Sequence, residues 1–219
     1  MSLDGLRARL IENLDPVADW TPQRGPARSD YDLNPGWRPA GATLRAAAVL
    51  VPIIATNEGV SVLMTRRADT LASHTGQIAF PGGRLDPGET ALDAALREAW
   101  EEVALNRADV EVLGLGDAYQ SGTGFLITPV IGWLTQRPET TPSPDEVAEV
   151  FEIPWEFLMD LSNHRRDSLE RDGLQRWFWA VPYGERYVWG VTAGIIRGLR
   201  ARLYGDDSDI EAAASEDAA

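Results

Sequence analysis

An α+β fold, a mixed β-sheet flanked by helices, is predicted by three observations. Apolar runs of strand length cluster on both sides of one amphipathic helical segment. A second helical pattern closes the chain. The resulting order is strand-rich, helix, strand-rich, helix, which is neither the regular βαβ alternation of a parallel sheet nor an all-β repeat. The 219 residues suit one domain with a sizeable core, and the chain shows no internal repeat and no second domain.

Leu3, Leu6, Leu10 and Leu14 recur near helical spacing and predict a short N-terminal helix. From Pro16 to Pro39 the chain is rich in Pro, Gly, Asp and Arg, and reads as an irregular arm; together they make residues 1–40 an N-terminal unit ahead of the domain. Leu44–Ala55 is a mostly apolar run, Asn57-Glu58-Gly59 supplies a turn, and Val60–Arg66 returns, so a β-hairpin is expected. Asp69 to Gly83 reads as a connection ending in Phe80-Pro81-Gly82-Gly83. Pro87-Gly88 breaks the chain ahead of a helix over about Thr90–Val103, whose Ala91, Ala94, Ala95 and Ala99 predict close packing on a sheet. Val110–Leu115, Leu126–Leu134 and Val147–Ile153 are expected strands, with Tyr119–Gly124 a loop and Pro154 leading into a helical turn. Trp177–Val181 and Arg186–Trp189 read as an aromatic hairpin, and Val191–Leu203 as a final helix with Ile195, Ile196 and Leu199 buried. Residues 205–219 carry six acids and no base, a tail expected to be disordered.

Composition excludes several classes. The formal net charge of −14 argues against a nucleic-acid partner. No apolar run approaches the roughly 20 residues that span a bilayer, and the N-terminus lacks a signal-peptide core, so no membrane partner and a cytoplasmic location are expected. The absence of cysteine excludes disulfides and thiolate sites. An acidic protein acting on a phosphorylated small molecule needs local cations, either metal or Arg.

The segment Gly83–Leu105 supplies the chemistry. Glu98, Glu101 and Glu102 fall at i, i+3 and i+4, on one face of a helix. Three acids on one turn repel each other unless a divalent cation neutralises them. Asp93, one turn before Arg97, reads as its i,i+4 ion-pair partner.

With Gly83, Glu89 and Arg97 these acids fit G-x5-E-x7-R-E-U-x-E-E-x-G-U, where U is aliphatic, and the segment resembles the signature of the Nudix hydrolases. Six fixed positions match, a chance event on the order of 10⁻⁷ at one start point. Ala104 stands where the pattern has Gly, the residue that ends such a helix in a left-handed conformation. Ala there is expected to alter the exit of the helix while leaving every carboxylate in place. The resemblance implies an α/β/α sandwich over residues 41–204, and hydrolysis of a diphosphate linked to another moiety with Mg²⁺ or Mn²⁺. Glu98, Glu101 and Glu102 would be metal ligands, Arg97 would orient them, and Glu89 would support the loop–helix junction.

Leu63 to Gly83 resembles, more narrowly, the signature of the coenzyme A diphosphatases, approximately LLTxRSxxLRxHxGQxxFPGG. Thr65, Arg67, Leu71, His74, Gly76, Gln77, Phe80, Pro81, Gly82 and Gly83 agree, Met64 replaces Leu, and Ala72 stands where the pattern has Arg. Leu126–Leu134, Asp145–Leu158 and Tyr187–Ile196 also look like this subgroup. The implied substrate is coenzyme A or an acyl-CoA, split into 4′-phosphopantetheine (or its acyl form) and adenosine 3′,5′-bisphosphate. The alternatives are another nucleoside diphosphate derivative, such as ADP-ribose or NADH, and a non-catalytic nucleotide-binding domain.

The substrate-binding candidates are Arg67, His74, Gly76, Gln77 and Phe80. Gly82 and Gly83 allow close backbone approach, and Gly83 is a candidate to lend its carbonyl to the metal. For the general base Glu98 ranks first and Glu146 second, with Glu149 a further alternative. Arg66 and Arg84 are candidates to offset the Arg missing at 72. Ser162–Arg166 reads as a solvated polar loop, with phosphate contact by Arg165 and Arg166 the alternative, Gly122 and Gly124 as an ordinary turn or a loop closing over substrate, and Trp177, Trp179 and Trp189 as core or as a homodimer surface first and as a base-stacking surface second.

Overall fold

Two long strands set up the sheet. In the computed structural model, which describes residues 2–22, 24–39, 41, 43–68, 76–171 and 173–205, β2 (Arg45–Thr56) turns back at Asn57-Glu58 into β3 (Gly59–Arg67). β2 also lies parallel to β8 (Phe125–Leu134), in register from Arg45 opposite Phe125 to Ile54 opposite Leu134. The remaining strands dress this frame. β1 (Arg28–Ser29) runs parallel to β7 (Tyr119–Gln120), which is antiparallel to β8. β4 (Ile78–Ala79) and β9 (Val147–Pro154) pair antiparallel with β3, β5 (Gly82–Arg84) with β2, and β6 (Glu111–Leu115) with β8. A separate antiparallel sheet holds β10 (Arg165–Arg171), β11 (Leu174–Tyr183) and β12 (Arg186–Trp189).

The pleat sorts the core to two faces. Val51, Ile53, Val62, Met64, Ile131 and Trp133 join one cluster, while Ala48, Leu50, Leu63, Val130 and Leu134 join the other. Helix α2 (Ala91–Val103) covers the second face, its Ala91, Ala94, Ala95 and Ala99 wholly buried against β2 and β5. Helices α1 (Leu3–Asn13), α3 (Trp155–Met159) and α4 (Val191–Tyr204) close the first face through Leu6, Leu10, Leu158, Ile196 and Leu199. The result is the predicted mixed sheet between helical layers. Each fully buried Leu or Ile here contributes about 1.5–3 kcal/mol.

Helix α2 begins with a reciprocal cap. The Thr90 hydroxyl accepts from Asp93 N at 3.2 Å, and Thr90 N donates to the Asp93 carboxylate at 3.3 Å. Asp93 is therefore a capping residue that also meets Arg107 at 3.5 Å, and the expected pairing with Arg97 is corrected. At the other end Ala104 is left-handed (φ 56°, ψ 27°), the one non-glycine residue with positive φ among the described residues. The exit is thus the one a glycine would make, and Ala104 carries the strain of it.

Several short elements were not legible in their own residues. β4 and β5 lie in the segment expected to be a connection, and β1 and β7 in the arm and loop. Strands of two or three residues have no period to read; their partners define them. β10 starts at Arg165, where a polar loop was expected. His164 just before it is half-buried, its Nε2 2.7 Å from Leu158 O, and desolvation lowers its pKa. Arg166 lies over Trp177 at 4.7 Å, Arg197 over Trp179 at 3.8 Å, and Trp189 meets Phe178 at 5.0 Å, so each of these half-buried indoles has a partner within the molecule. The turn at Gly122 is tied to the arm, where Asp30 accepts from Gly122 N at 2.7 Å, Tyr119 Oη at 2.9 Å and Arg176 Nη2 at 2.9 Å. The acidic stretch from 206 onward lies outside the described residues.

Candidate active site

The acids of α2 meet the glycines of β5. A Cβ built on Gly83 would stand 2.3 Å from Glu98 Oε1, and one on Gly82 would stand 2.4 Å from Ala48 O. Only glycine permits both the strand pairing and the approach of the Glu98 carboxylate. Glu102, one turn on, is 4% exposed and accepts from Gly82 N at 3.3 Å. Glu101 points outward and is half exposed.

Arg97 organises these groups. Its Nε and Nη2 hold the Glu89 carboxylate in a two-pronged grip at 2.8 and 3.0 Å, and Nη2 also reaches Arg84 O at 3.0 Å. Nη1 bridges Glu98 and Glu101 at 3.0 Å each. Glu89 in turn accepts from Asp86 N at 2.8 Å, which pins the loop ahead of the helix. The Arg97 contact draws the Glu89 pKa below the usual carboxylate range, and the same contact raises that of Arg97.

The two inner acids shift in the same direction. Burial pushes Glu102 up to about 8, helped by the charges of Glu98 and Glu146 and opposed by Gly82 N–H and Arg67. Burial also raises Glu98, against its bond to Arg97. Glu146 reaches this neighbourhood because its loop is fastened to the end of α2. Thr141 N donates to Val103 O at 2.9 Å and Ser143 N to Glu102 O at 2.8 Å. Arg67 completes the cluster from β3. Its Nη1 is 4.0 Å from Glu102 Oε1, its Nε is buried with no acceptor, and its backbone N–H donates to Gln77 O at 3.0 Å.

Among the described residues no three His, Cys, Asp or Glu side chains converge as a ready metal cage, since Arg97 stands between Glu98 and Glu101. The donor set nevertheless fits a hard divalent cation. All its side-chain members are carboxylates, and a buried carboxyl with so high a pKa lacks the positive charge that would keep it ionised.

A family model described as NUDIX domain matches residues 44–178, which carry this whole cluster. The chain belongs to the Nudix hydrolase family. It is similar to curated relatives named "Uncharacterized Nudix hydrolase NudL" from Yersinia pestis (strain Pestoides F) and Yersinia pseudotuberculosis serotype O:3 (strain YPIII). Each is 42% identical over 163 residues, 74% of this chain and 81% of the relative. Among solved structures, a MutT/nudix family protein from Enterococcus faecalis is 15% identical and covers 82% of this chain and 83% of that one, with a TM-score of 0.48. No helix among the described residues is long and apolar enough to cross a membrane.

Within this Nudix domain the motif residues divide. Glu89, Arg97, Glu98, Glu101, Glu102, Gly82, Gly83 and Arg67 come together, with Glu146 beside them. Gly76 and Gln77 line a neighbouring cavity. Phe80 is 3% exposed in the core on the face away from α2, so the ring expected to touch substrate is instead packing. Glu149 is paired with Arg66 at 3.7 Å and with Arg186, apart from the acid cluster, which removes it as an alternative base. Arg84 is exposed, its guanidinium 5.3 Å above Phe125. His74 and Ala72 lie outside the described residues. The Arg84 carbonyl's contact with Arg97 and the fastening of the loop ahead of Glu146 to the end of α2 had no signal in the sequence, because both act through backbone atoms.

Proposed function

We propose that the protein hydrolyses the diphosphate bond of coenzyme A or an acyl-CoA. One observation carries the reading. Arg67 joins the two recognised segments, its backbone bonded to Gln77 of the loop and its guanidinium facing the buried Glu102 of the helix. A substrate phosphate at Arg67 therefore meets the acids.

Glu98, Glu101 and Glu102, with the Gly83 carbonyl, are the groups that would hold Mg²⁺ or Mn²⁺. The chemistry such an ion would supply when bound is neutralisation of diphosphate oxygens and acidification of the attacking water. Arg97 holds Glu98 and Glu101 in place before substrate arrives, which lowers the cost of ordering them. Glu98, its affinity for protons raised by burial, accepts the water's proton, and Glu146 is the second candidate for that task. Gly76 and Gln77 contribute to substrate binding, and His74 does so by its match to the motif.

The second reading, a different nucleoside diphosphate derivative such as ADP-ribose or NADH, is favoured by Ala72 in place of the pattern's Arg. The test is a hydrolysis panel of coenzyme A, acetyl-CoA, ADP-ribose and NADH in Mg²⁺ or Mn²⁺. Coenzyme A turnover that fails in Glu98→Gln and Glu102→Gln is expected. Rapid cleavage of ADP-ribose with none of coenzyme A sinks the substrate assignment, and binding without turnover of any member sinks the enzymatic one.

A further inference from the structure

A cavity of about 680 Å³ opens beside the acid cluster, between the end of β3 and the β12 edge of the second sheet. Its volume is that of a small-molecule site. Arg66, Gln77, Glu149, Glu185, Arg186, Tyr187 and Trp189 are among the residues that line it. The acids of that cluster and Arg97 take no part in its lining, which Gly76 and Gln77 share with strand β12.

Two features define what it takes. The first is a guanidinium fork. Glu149 is shared by Arg66 and Arg186, and with Glu185 also in the lining the cavity sets two guanidiniums against two carboxylates, so what it offers an anion is the fork of Arg186 rather than a surplus of charge. Arg186 also lies over Phe151, 4.3 Å from the ring centroid, and its Nε is buried with no acceptor. A guanidinium with a donor to spare is half-committed to the protein and ready for a second anion. The second feature is aromatic surface. Tyr187 and Trp189, alternate residues on β12, both line the cavity and both are half-buried, with Trp189 backed by Phe178. Their flat rings suit a heteroaromatic base.

The cavity also communicates with the acids. Arg66 and Arg67 are consecutive on β3 at an irregularity in its pairing with β9. Arg66 turns to Glu149 and Arg67 to Glu102, so one step of the chain separates the two sites. A long substrate with its scissile diphosphate at Arg67 has its end within reach of Arg66.

We infer that this cavity is a specificity subsite for the phosphorylated nucleoside end of the substrate, with the base on Tyr187 and Trp189 and a phosphomonoester at Arg186 and Arg66. The inference rests on the proposed hydrolysis of coenzyme A only for which molecule brings that end. A pantetheine arm has neither ring nor anion, so the cavity discriminates between the two halves of such a substrate.

The test is direct binding, without turnover. Adenosine 3′,5′-bisphosphate, adenosine and 4′-phosphopantetheine are titrated calorimetrically onto the full chain in EDTA, using wild type, Arg186→Ala, Arg186→Lys and Trp189→Leu, each checked for an unchanged thermal melt. The bisphosphate is expected to bind wild type, to weaken at least tenfold in Arg186→Ala and in Trp189→Leu, and to recover in part in Arg186→Lys. Adenosine is expected to bind at least tenfold more weakly than the bisphosphate. In turnover, the loss in these variants falls on KM for coenzyme A. No binding of the bisphosphate to wild type, equal binding to folded variants, or an Arg186-dependent affinity for 4′-phosphopantetheine overturns the subsite. Coenzyme A turnover with KM unchanged in the variants also overturns it while leaving the reaction standing. Arg186-dependent bisphosphate binding in a protein that cleaves no coenzyme A keeps the subsite and sinks the reaction.

Discussion

Gly83 and Glu98 are packed so closely that no side chain fits between them, a Cβ on Gly83 falling 2.3 Å from Glu98 Oε1. Gly83→Ala therefore displaces the Glu98 carboxylate rather than the strand, because the colliding atoms are the far end of a flexible side chain. Activity is expected to fall roughly 10–100-fold, as for a lost supporting contact in a metal site. The melting temperature should move by only a few degrees. A variant with wild-type kcat would show that Glu98 need not sit where it does.

Glu102 makes the metal-free protein sensitive to pH. Its folded pKa of about 8 lies above the ordinary value of 4.5, so between these values the folded state keeps a proton that the unfolded state has released. Stability is then lost as pH rises through that window, by at most about 1.4 kcal/mol per pH unit. Urea unfolding in EDTA at pH 5 and pH 8 measures it. Glu102→Gln should flatten the dependence, as should added Mg²⁺ in wild type. An identical slope in wild type and Glu102→Gln would remove the basis for this account.

Arg97→Lys keeps the charge and loses the fork. A single ammonium cannot hold both oxygens of Glu89 while bridging Glu98 and Glu101. Activity is expected to drop at least tenfold and stability by about 1–3 kcal/mol, the scale of lost charged hydrogen bonds. Full activity in the lysine variant would mean that charge alone orients the acids.

Ala104→Gly should stabilise. Relief of left-handed strain is worth about 1–2 kcal/mol, offset in part by the freer unfolded chain. A rise of about 1–3 °C in melting temperature with unaltered kcat is expected. A fall in melting temperature would contradict the strain argument.

Glu146 and Glu149 separate by function. Glu146→Gln removes a charge felt by Glu98 and Glu102 and should depress kcat. Glu149→Gln frees Arg66 and Arg186 from their shared partner and should change KM instead. Steady-state kinetics on coenzyme A with both variants would refute the separation if the two effects were exchanged.

The acid-bearing helix was legible because its information is local. The i, i+3, i+4 spacing places Glu98, Glu101 and Glu102 on one face whatever surrounds them, and the alanines opposite announce a packed side. The long strands were legible for the same reason, their apolar runs declaring burial on both faces. What failed was local in length and non-local in cause. Asp93 was assigned to Arg97 by spacing, yet the free N–H groups at the start of the helix claimed it first. Phe80 was assigned to substrate by its motif, yet the sheet turned its ring into the core.

By itself, then, the sequence determined the chemistry and the scaffold: a carboxylate cluster behind two glycines, on a mixed sheet between helices. Only the tertiary structure decided which acid is buried, which acid joins from the 141–146 loop, and which cavity the second sheet closes. Helical spacing follows from backbone geometry within a few residues. Burial, pKa and cavity shape follow from segments that meet only after the chain has folded, as when Arg186 of β12 comes to stand beside Arg66 of β3.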